Sequence, residues 1–195
     1  KKERKAFVST YKNFINRKSL SFDYFSKNTY DWIKILNEFK DKDFKYLEIG
    51  SFEGNSTLFI LNNFKKSHVS CVDSWVQLNE NDGSREGYEH LPISKIEKNF
   101  DKNLYQYQSR YEKFKMRSNI FFKKNSNKFD VIFVDGSHYA KEVFNDFRES
   151  WSILKKNGIL ILDDYFWARY QKLDENPAFA INSYLKKITN EYKII

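Results

Sequence analysis

The chain has 195 residues, 41% of them hydrophobic and 31% charged, with a net charge of +8 and a pI of about 9.3. That length suits one domain with a continuous core, and the single cysteine, Cys71, excludes an intramolecular disulfide. No apolar run approaches the ~20 residues that cross a bilayer, and the basic N-terminus lacks the apolar stretch of a secretory signal, so the expectation is a soluble cytoplasmic protein without a membrane span.

The chain opens on Lys1 and its only methionine is Met116, so the natural start is expected to be missing through trimming, processing or excision from a longer protein. The first 40 residues read as an N-terminal helical cap. Within them Trp32, Ile33, Ile35, Leu36 and Phe39 recur at helical spacing, whereas the basic segment ahead of them fits no single element. The core, 44–195, begins with a strand over Lys45–Ile49 that ends in Gly50. A helix follows over Asn55–Phe64, with Leu58, Ile60, Leu61 and Phe64 on its apolar side. A second strand spans Val69–Val72 and makes Cys71 a small buried hydrophobe. The polar stretch Gln77–Pro92 reads as an insertion loop bordering a ligand crevice.

A weaker third strand runs through Glu112–Met116, and a fourth, Val131–Val134, is flanked by Asp130 and Asp135. The next helix carries Val143, Phe144, Phe147, Trp151 and Leu154, with Ser137 as its N-cap and Gly158 as its C-terminal glycine. A fifth strand over Ile159–Leu162, a helical pattern over Phe179–Ile188 and a short sixth strand in Tyr192–Ile195 complete the chain. Strands alternating with helices predict an α/β fold: a Rossmann-like, doubly wound, mostly parallel sheet with helices on both faces.

Glu48-x-Gly50-x-x-x-Gly54 lies between a strand and a helix, where a glycine turn lets backbone approach a ligand and helix N-terminal amides face its negative group. A dinucleotide fingerprint would need Gly where Phe52 stands, which disfavours NAD. Glu48 suits an ammonium group or the fixing of the turn, and the hydroxyls of Ser51, Ser56 and Thr57 suit a carboxylate. Asp73, with Ser74 beside it, closes the second strand about 25 residues after Glu48, where an acid accepts bonds from a ribose diol, and Trp75 is placed to stack on an adenine.

Through these residues the chain resembles the class I S-adenosylmethionine-dependent methyltransferases. Over Tyr46–Leu61 and Phe129–Tyr165 it is similar to the branch that includes macrolide sugar O-methyltransferases and cephalosporin-hydroxylase-like proteins. The resemblance implies S-adenosylmethionine as cofactor, with Gly50, Ser51 and Gly54 along its methionine part, Asp73 on its ribose and Ser118 beside its adenine. The family's usual last antiparallel strand finds no counterpart after Ile195. Either that strand is absent or cut off, or another chain or an adjoining domain completes the edge.

Asp135 ends the fourth strand and Asp163 and Asp164 end the fifth, so three carboxylates should meet at one rim. Such a cluster is tolerated around a cation, and all-oxygen ligands suit a hard ion such as Mg²⁺. The spacing of 28 and 29 residues from Asp135 to the acid pair resembles the ligand set of metal-dependent O-methyltransferases. His138, three residues after Asp135, suits a general base; His68 and His90 lack such company. The expected activity is divalent-metal-assisted transfer of a methyl group to a hydroxyl, and the resemblance implies a sugar or glycoside as its acceptor. The alternatives are an RNA methyltransferase using the basic surface and a non-catalytic cofactor-binding domain. The lysines are dispersed rather than gathered in a binding module, which weighs against nucleic acid as partner.

Overall fold

The computed structural model describes residues 1–76 and 92–195. Its sheet has five strands: β1 (Phe44–Ile49), β2 (Ser67–Asp73), β3 (Tyr111–Lys115), β4 (Phe129–Val134) and β5 (Leu154–Leu162). They lie in the order β3-β2-β1-β4-β5, and every pair is parallel. The chain starts in the middle at β1, runs outward to β3 and returns to β4 on the other side. The strand order therefore reverses between β1 and β4, and the crevice for a ligand opens at their carboxyl ends.

Side chains alternate across the sheet. Tyr46, Val69, Cys71, Val131 and Phe133 share a core with α1 (Lys2–Ile15), α2 (Thr29–Ile35), α3 (Asn55–Asn63) and α4 (Ile93–Leu104). Leu47, Ile49, Val72, Ile132 and Val134 face the other way, toward α5 (Ser118–Lys124) and the end of α6 (Ala140–Ile153). There α6 also packs on α7 (Pro177–Leu185) over Leu160 and Leu162 of β5. Burial on both faces explains why the strands read as nearly continuous apolar runs. The first core is aromatic: Trp32 meets Phe133 edge-on at 4.7 Å and Phe25 at 4.8 Å. Each such ring removed from water contributes about 2–3 kcal/mol. Cys71 is buried among them, and burial pushes its thiol pKa up.

Several local expectations change. The unassigned basic segment is α1, which buries Tyr11 and Ile15. Helices α4 and α5 had no forecast, although Ile96, Phe100 and Leu104 give α4 a regular buried stripe. Ser137 does not cap α6. The helix starts two residues later than a Ser137 cap implies, and the Ser137 hydroxyl accepts the Tyr139 amide at 3.1 Å in a local turn. Gly158 does not end α6, which passes directly into β5; the left-handed residue is Asn157 at φ 62°. Leu154 pairs with Phe129 and Ile159 with Val131, so the intervening residues of β5 bulge outward. A side chain at Gly158 would lie 2.8 Å from the Asp130 carbonyl oxygen. Tyr192–Ile195 is irregular and exposed instead of forming a sixth strand. The Gln77–Pro92 segment lies, apart from Pro92, outside the described residues, as does His90. No helix among the described residues is long and apolar enough to cross a membrane.

Candidate cofactor turn and reaction rim

Gly50 leaves β1 at φ 89°, donating its amide to the Val72 carbonyl at 2.8 Å, while the Asp135 amide donates to Ile49 at 2.8 Å. The turn is thus stitched to β2 on one side and to β4 on the other. A β-carbon on Gly50 would sit 1.9 Å from the Asp135 carbonyl oxygen and 2.7 Å from the Gly136 α-carbon. The close approach that requires glycine here is to the β4 loop.

Beneath the turn Glu48 is fully buried. It accepts the Ser56 hydroxyl at 2.6 Å, the Thr57 hydroxyl at 2.9 Å and the Tyr46 phenol at 3.3 Å. Those hydroxyls serve a carboxylate, as their residue types suggest, but it is the protein's own. Burial raises the Glu48 pKa to about 7 against these three bonds. Of the two roles read for Glu48, this arrangement displays the fixing of the turn. Ser51 is buried beside the same cluster, its hydroxyl directed at the Cys71 thiol, which the Thr57 hydroxyl also approaches at 3.6 Å.

Asp73 ties the crevice together. Its carboxylate accepts the Phe52 and Trp75 amides, each at 2.9 Å, and the Ser74 amide as well. Burial raises its pKa although the three amides oppose this. The carboxylate oxygens retain lone pairs for a diol. Trp75 is buried, its indole N–H donating to the Phe52 carbonyl at 2.9 Å and its ring lying 4.8 Å from Phe100. The indole therefore belongs to the floor of the crevice and leaves little face for an adenine. Phe52 and Trp75 both have positive φ, at 47° and 41°, and non-glycine residues in such conformations concentrate at functional sites. Ser118 opens α5, with its hydroxyl bonded to Asp146.

Asp146 is a buried acid that sequence reasoning passed over. Burial raises its pKa to about 7, and its carboxylate lies 3.7 Å from the point where a β-carbon on Gly136 would sit. Its signal was an acid between Val143 and Phe147 on the buried side of α6.

At the rim, Asp135, Asp163, Asp164 and His138 do come together. The Asp164 carboxylate lies 3.1 Å from His138 Nε2 and is hydrogen-bonded to the Asp135 carboxyl. Burial, with Asp163 and Asp164 nearby, holds the Asp135 pKa well above its ordinary range. Asp163 is also raised by burial, while its oxygen accepts the Asp164 amide at 2.9 Å and the charges of Lys27 and His138 oppose the rise. Lys27 belongs to the N-terminal segment, so the charge of that segment is felt at this rim. His138 Nδ1 is buried without a partner, and the ring stacks on Trp167. Among the described residues no group of three or more His, Cys, Asp and Glu side chains is disposed to hold a metal ion. His68 sits exposed beside Asp43, away from this rim.

The N-terminal segment also braces the cofactor turn. Buried Glu53 accepts the Ser21 amide at 2.6 Å, the Ser21 hydroxyl at 2.8 Å and the Asn99 side-chain amide at 2.6 Å. Asn103 bonds both the amide and carbonyl of Ser19 and the carbonyl of Glu53.

Residues 47–165 match the family described as "Methyltransferase domain". A 133-residue stretch is 28% identical to an uncharacterized protein of Acanthamoeba polyphaga mimivirus, covering 67% of this chain and 56% of that protein. The chain thus spans little more than half the length of that relative. The fold is similar to that of a Staphylococcus aureus protein proposed to be a caffeoyl-CoA O-methyltransferase, with 16% identity and a TM-score of 0.61 over 94% of this chain and 82% of that one. It is also similar to an S-adenosylmethionine-dependent O-methyltransferase of Thermotoga maritima (13%, TM-score 0.57, 91% and 55%) and to the precorrin-6y C5,15-methyltransferase of Geobacter metallireducens (12%, TM-score 0.59, 88% and 76%). With the family match running from β1 through the acids that follow β5, the chain belongs to the methyltransferase-domain family and has the Rossmann-like fold of class I S-adenosylmethionine-dependent methyltransferases.

Proposed function

We propose that this methyltransferase moves a methyl group from S-adenosylmethionine to a hydroxyl of a sugar or glycoside. The observation that carries the reading is the contact between His138 and Asp164, at the carboxyl ends of β4 and β5 and one loop away from the glycine turn. S-adenosylmethionine supplies an electrophilic sulfonium methyl. Gly50, Ser51 and Gly54 would lie along its amino-acid part, with Asp73 and Ser74 toward its ribose and Ser118 farther along the crevice; the glycine turn, with Gly50 and Gly54 both at positive φ, supports this placement.

The protein's own work is orientation and proton handling. An alcohol loses its proton as its oxygen bonds to carbon, and His138 is the side chain at the rim suited to accept it. If Nε2–H donates to Asp164, the imidazole lone pair is on Nδ1, the nitrogen without a partner. Asp164 then fixes the tautomer, and Asp135 lies beside Asp164 at the same rim.

Assistance by a hard divalent cation is part of the proposal. Asp135, Asp163 and Asp164 would hold it, and it would lower the pKa of an acceptor hydroxyl. Support comes from the donor chemistry and from three acids of like charge at one rim, two of them with raised pKa. The sugar assignment draws on the resemblance over Tyr46–Leu61 and Phe129–Tyr165, and residues 1–40 are read as a cap over the 44–195 core.

Labelled S-adenosylmethionine incubated with glycans, catechols and RNA, each with Mg²⁺ or EDTA, tests the reading. Transfer to glycan hydroxyls that EDTA abolishes is expected. Transfer undiminished by EDTA removes the cation, transfer only to RNA overturns the acceptor, and failure to bind the donor by calorimetry overturns the whole.

A further inference from the structure

The segment after β5 surrounds the imidazole of His138 from two directions. Asp164, at φ 59°, starts a tight turn closed by the Trp167 amide donating to the Asp164 carbonyl at 2.9 Å. One end of that turn places the Asp164 carboxylate 3.1 Å from His138 Nε2. The other lays the Trp167 ring flat on the imidazole, with centroids 4.6 Å apart and planes only 5° from parallel. The tip of the turn is Phe166, 93% exposed, so core packing does not explain the turn's shape.

The indole is itself backed. Tyr170 lies 4.9 Å from Trp167, and Tyr139, the residue after His138, meets Tyr170 edge-on at 5.8 Å. The buried side chain of Asn176 accepts the Tyr170 amide and donates to its carbonyl, anchoring that ring's backbone. The aromatic series thus leaves His138 and returns to its neighbour in the chain. A histidine serving only as core filler would have both ring nitrogens bonded, whereas here Nδ1 has no partner. One hydrogen bond leaves an imidazole free to rotate about its Cβ–Cγ bond, and a stacked plane removes that freedom.

We propose that Trp167 is a positioning residue that fixes the plane of the His138 imidazole, so that one turn, Asp164–Trp167, sets both its edge and its face. The proposal rests on the reading of His138 as the proton acceptor. Errors of about 1 Å in placing such a group cost on the order of a hundredfold in rate, which gives a fixed plane its value.

The test uses the full chain with ¹⁵N,¹³C-labelled histidine at one fixed pH. The His138 ring signals are identified by their loss in His138→Gln. In the wild type they should form one set, shifted upfield by the overlying indole. Trp167→Leu should lose the shift and show averaged or multiple ring orientations, while Trp167→Phe should restore a single set; the backbone amide spectrum reports whether each variant folds. If Trp167→Leu does not fold, Trp167→Phe decides, a retained upfield set supporting the proposal and its loss in a folded protein overturning it. An unshifted wild-type ring, or an unchanged single orientation in folded Trp167→Leu, also overturns it. Methyl transfer by His138→Gln at the wild-type rate would remove the base reading while leaving the ring-orientation result intact.

Discussion

A β-carbon on Gly50 would lie 1.9 Å from the carbonyl oxygen of Asp135, so the turn after β1 and the loop after β4 have no room to move independently. The glycine turn and the acidic rim after β4 are one mechanical unit. Gly50→Ala should therefore lose at least ~3 kcal/mol of stability, from backbone overlap added to the cost of φ 89° in a non-glycine residue. Urea unfolding checks this; a loss below about 1 kcal/mol would mean that the two loops can separate cheaply.

Glu48 and Asp146 carry another expectation. Burial raises both pKa values to about 7, from 4.5 and 3.8. The native state keeps protons that the unfolded chain would release, so this contribution is complete below the unfolded values and is lost as pH rises through about 7. Unfolding free energy should fall between about pH 4 and pH 7, with each buried acid adding up to ~1.4 kcal/mol per pH unit to the slope. Glu48→Gln and Asp146→Asn should each flatten it. Unaltered slopes in both variants would show that the two carboxyls ionise in the fold as freely as in the unfolded chain.

At the reaction rim, His138→Gln should reduce kcat by about 10²- to 10⁴-fold, the range for loss of a general base, with donor affinity nearly unchanged. Asp164→Asn should act in the same direction but less, because it alters the tautomer and leaves the imidazole in place. Single-turnover transfer and donor calorimetry separate the two quantities. A His138→Gln variant that loses donor binding instead would place the residue in the cofactor site.

The brace from the N-terminal segment should be measurable as well. Asn103→Ala leaves the Ser19 amide, the Ser19 carbonyl and the Glu53 carbonyl without their side-chain partner, at about 1–3 kcal/mol for a buried group that stays unpaired. The expected result is a stability loss of ~2–3 kcal/mol together with weaker donor binding, since Glu53 lies inside the cofactor turn. Full stability in this variant would show that water replaces the amide.

The sheet was legible because β1, β2 and β4 are buried on both faces, and runs such as Val131–Val134 announce that without any partner in view. The edges were less so. In β3 the pattern is broken by Lys113 and Lys115, which are paired with Glu97 and Asp101 of α4, and those pairs exist only after folding. Asp135, His138, Asp163 and Asp164 could be found from strand ends alone. The destinations of the Ser56, Thr57 and Ser118 hydroxyls could not, because spacing along a helix says which side chains share a face and nothing about which buried acid lies opposite. Trp167 was hidden for a similar reason: its contact with His138 depends on a left-handed residue at Asp164, a position where sequence favours no such conformation strongly.

The bonds from Ser19 to Asn103 join residues 84 apart in the chain, and those from Ser21 to Glu53 span 32. Loop closure of that length is slow compared with forming a helix or a neighbouring strand pair. The brace on the glycine turn should consequently form after the helices it ties together, once α4 has docked and offered Asn99 and Asn103 to the chain that crosses it. In pulsed hydrogen exchange during refolding, the Ser21 amide should gain protection later than the amides of α3 and α4.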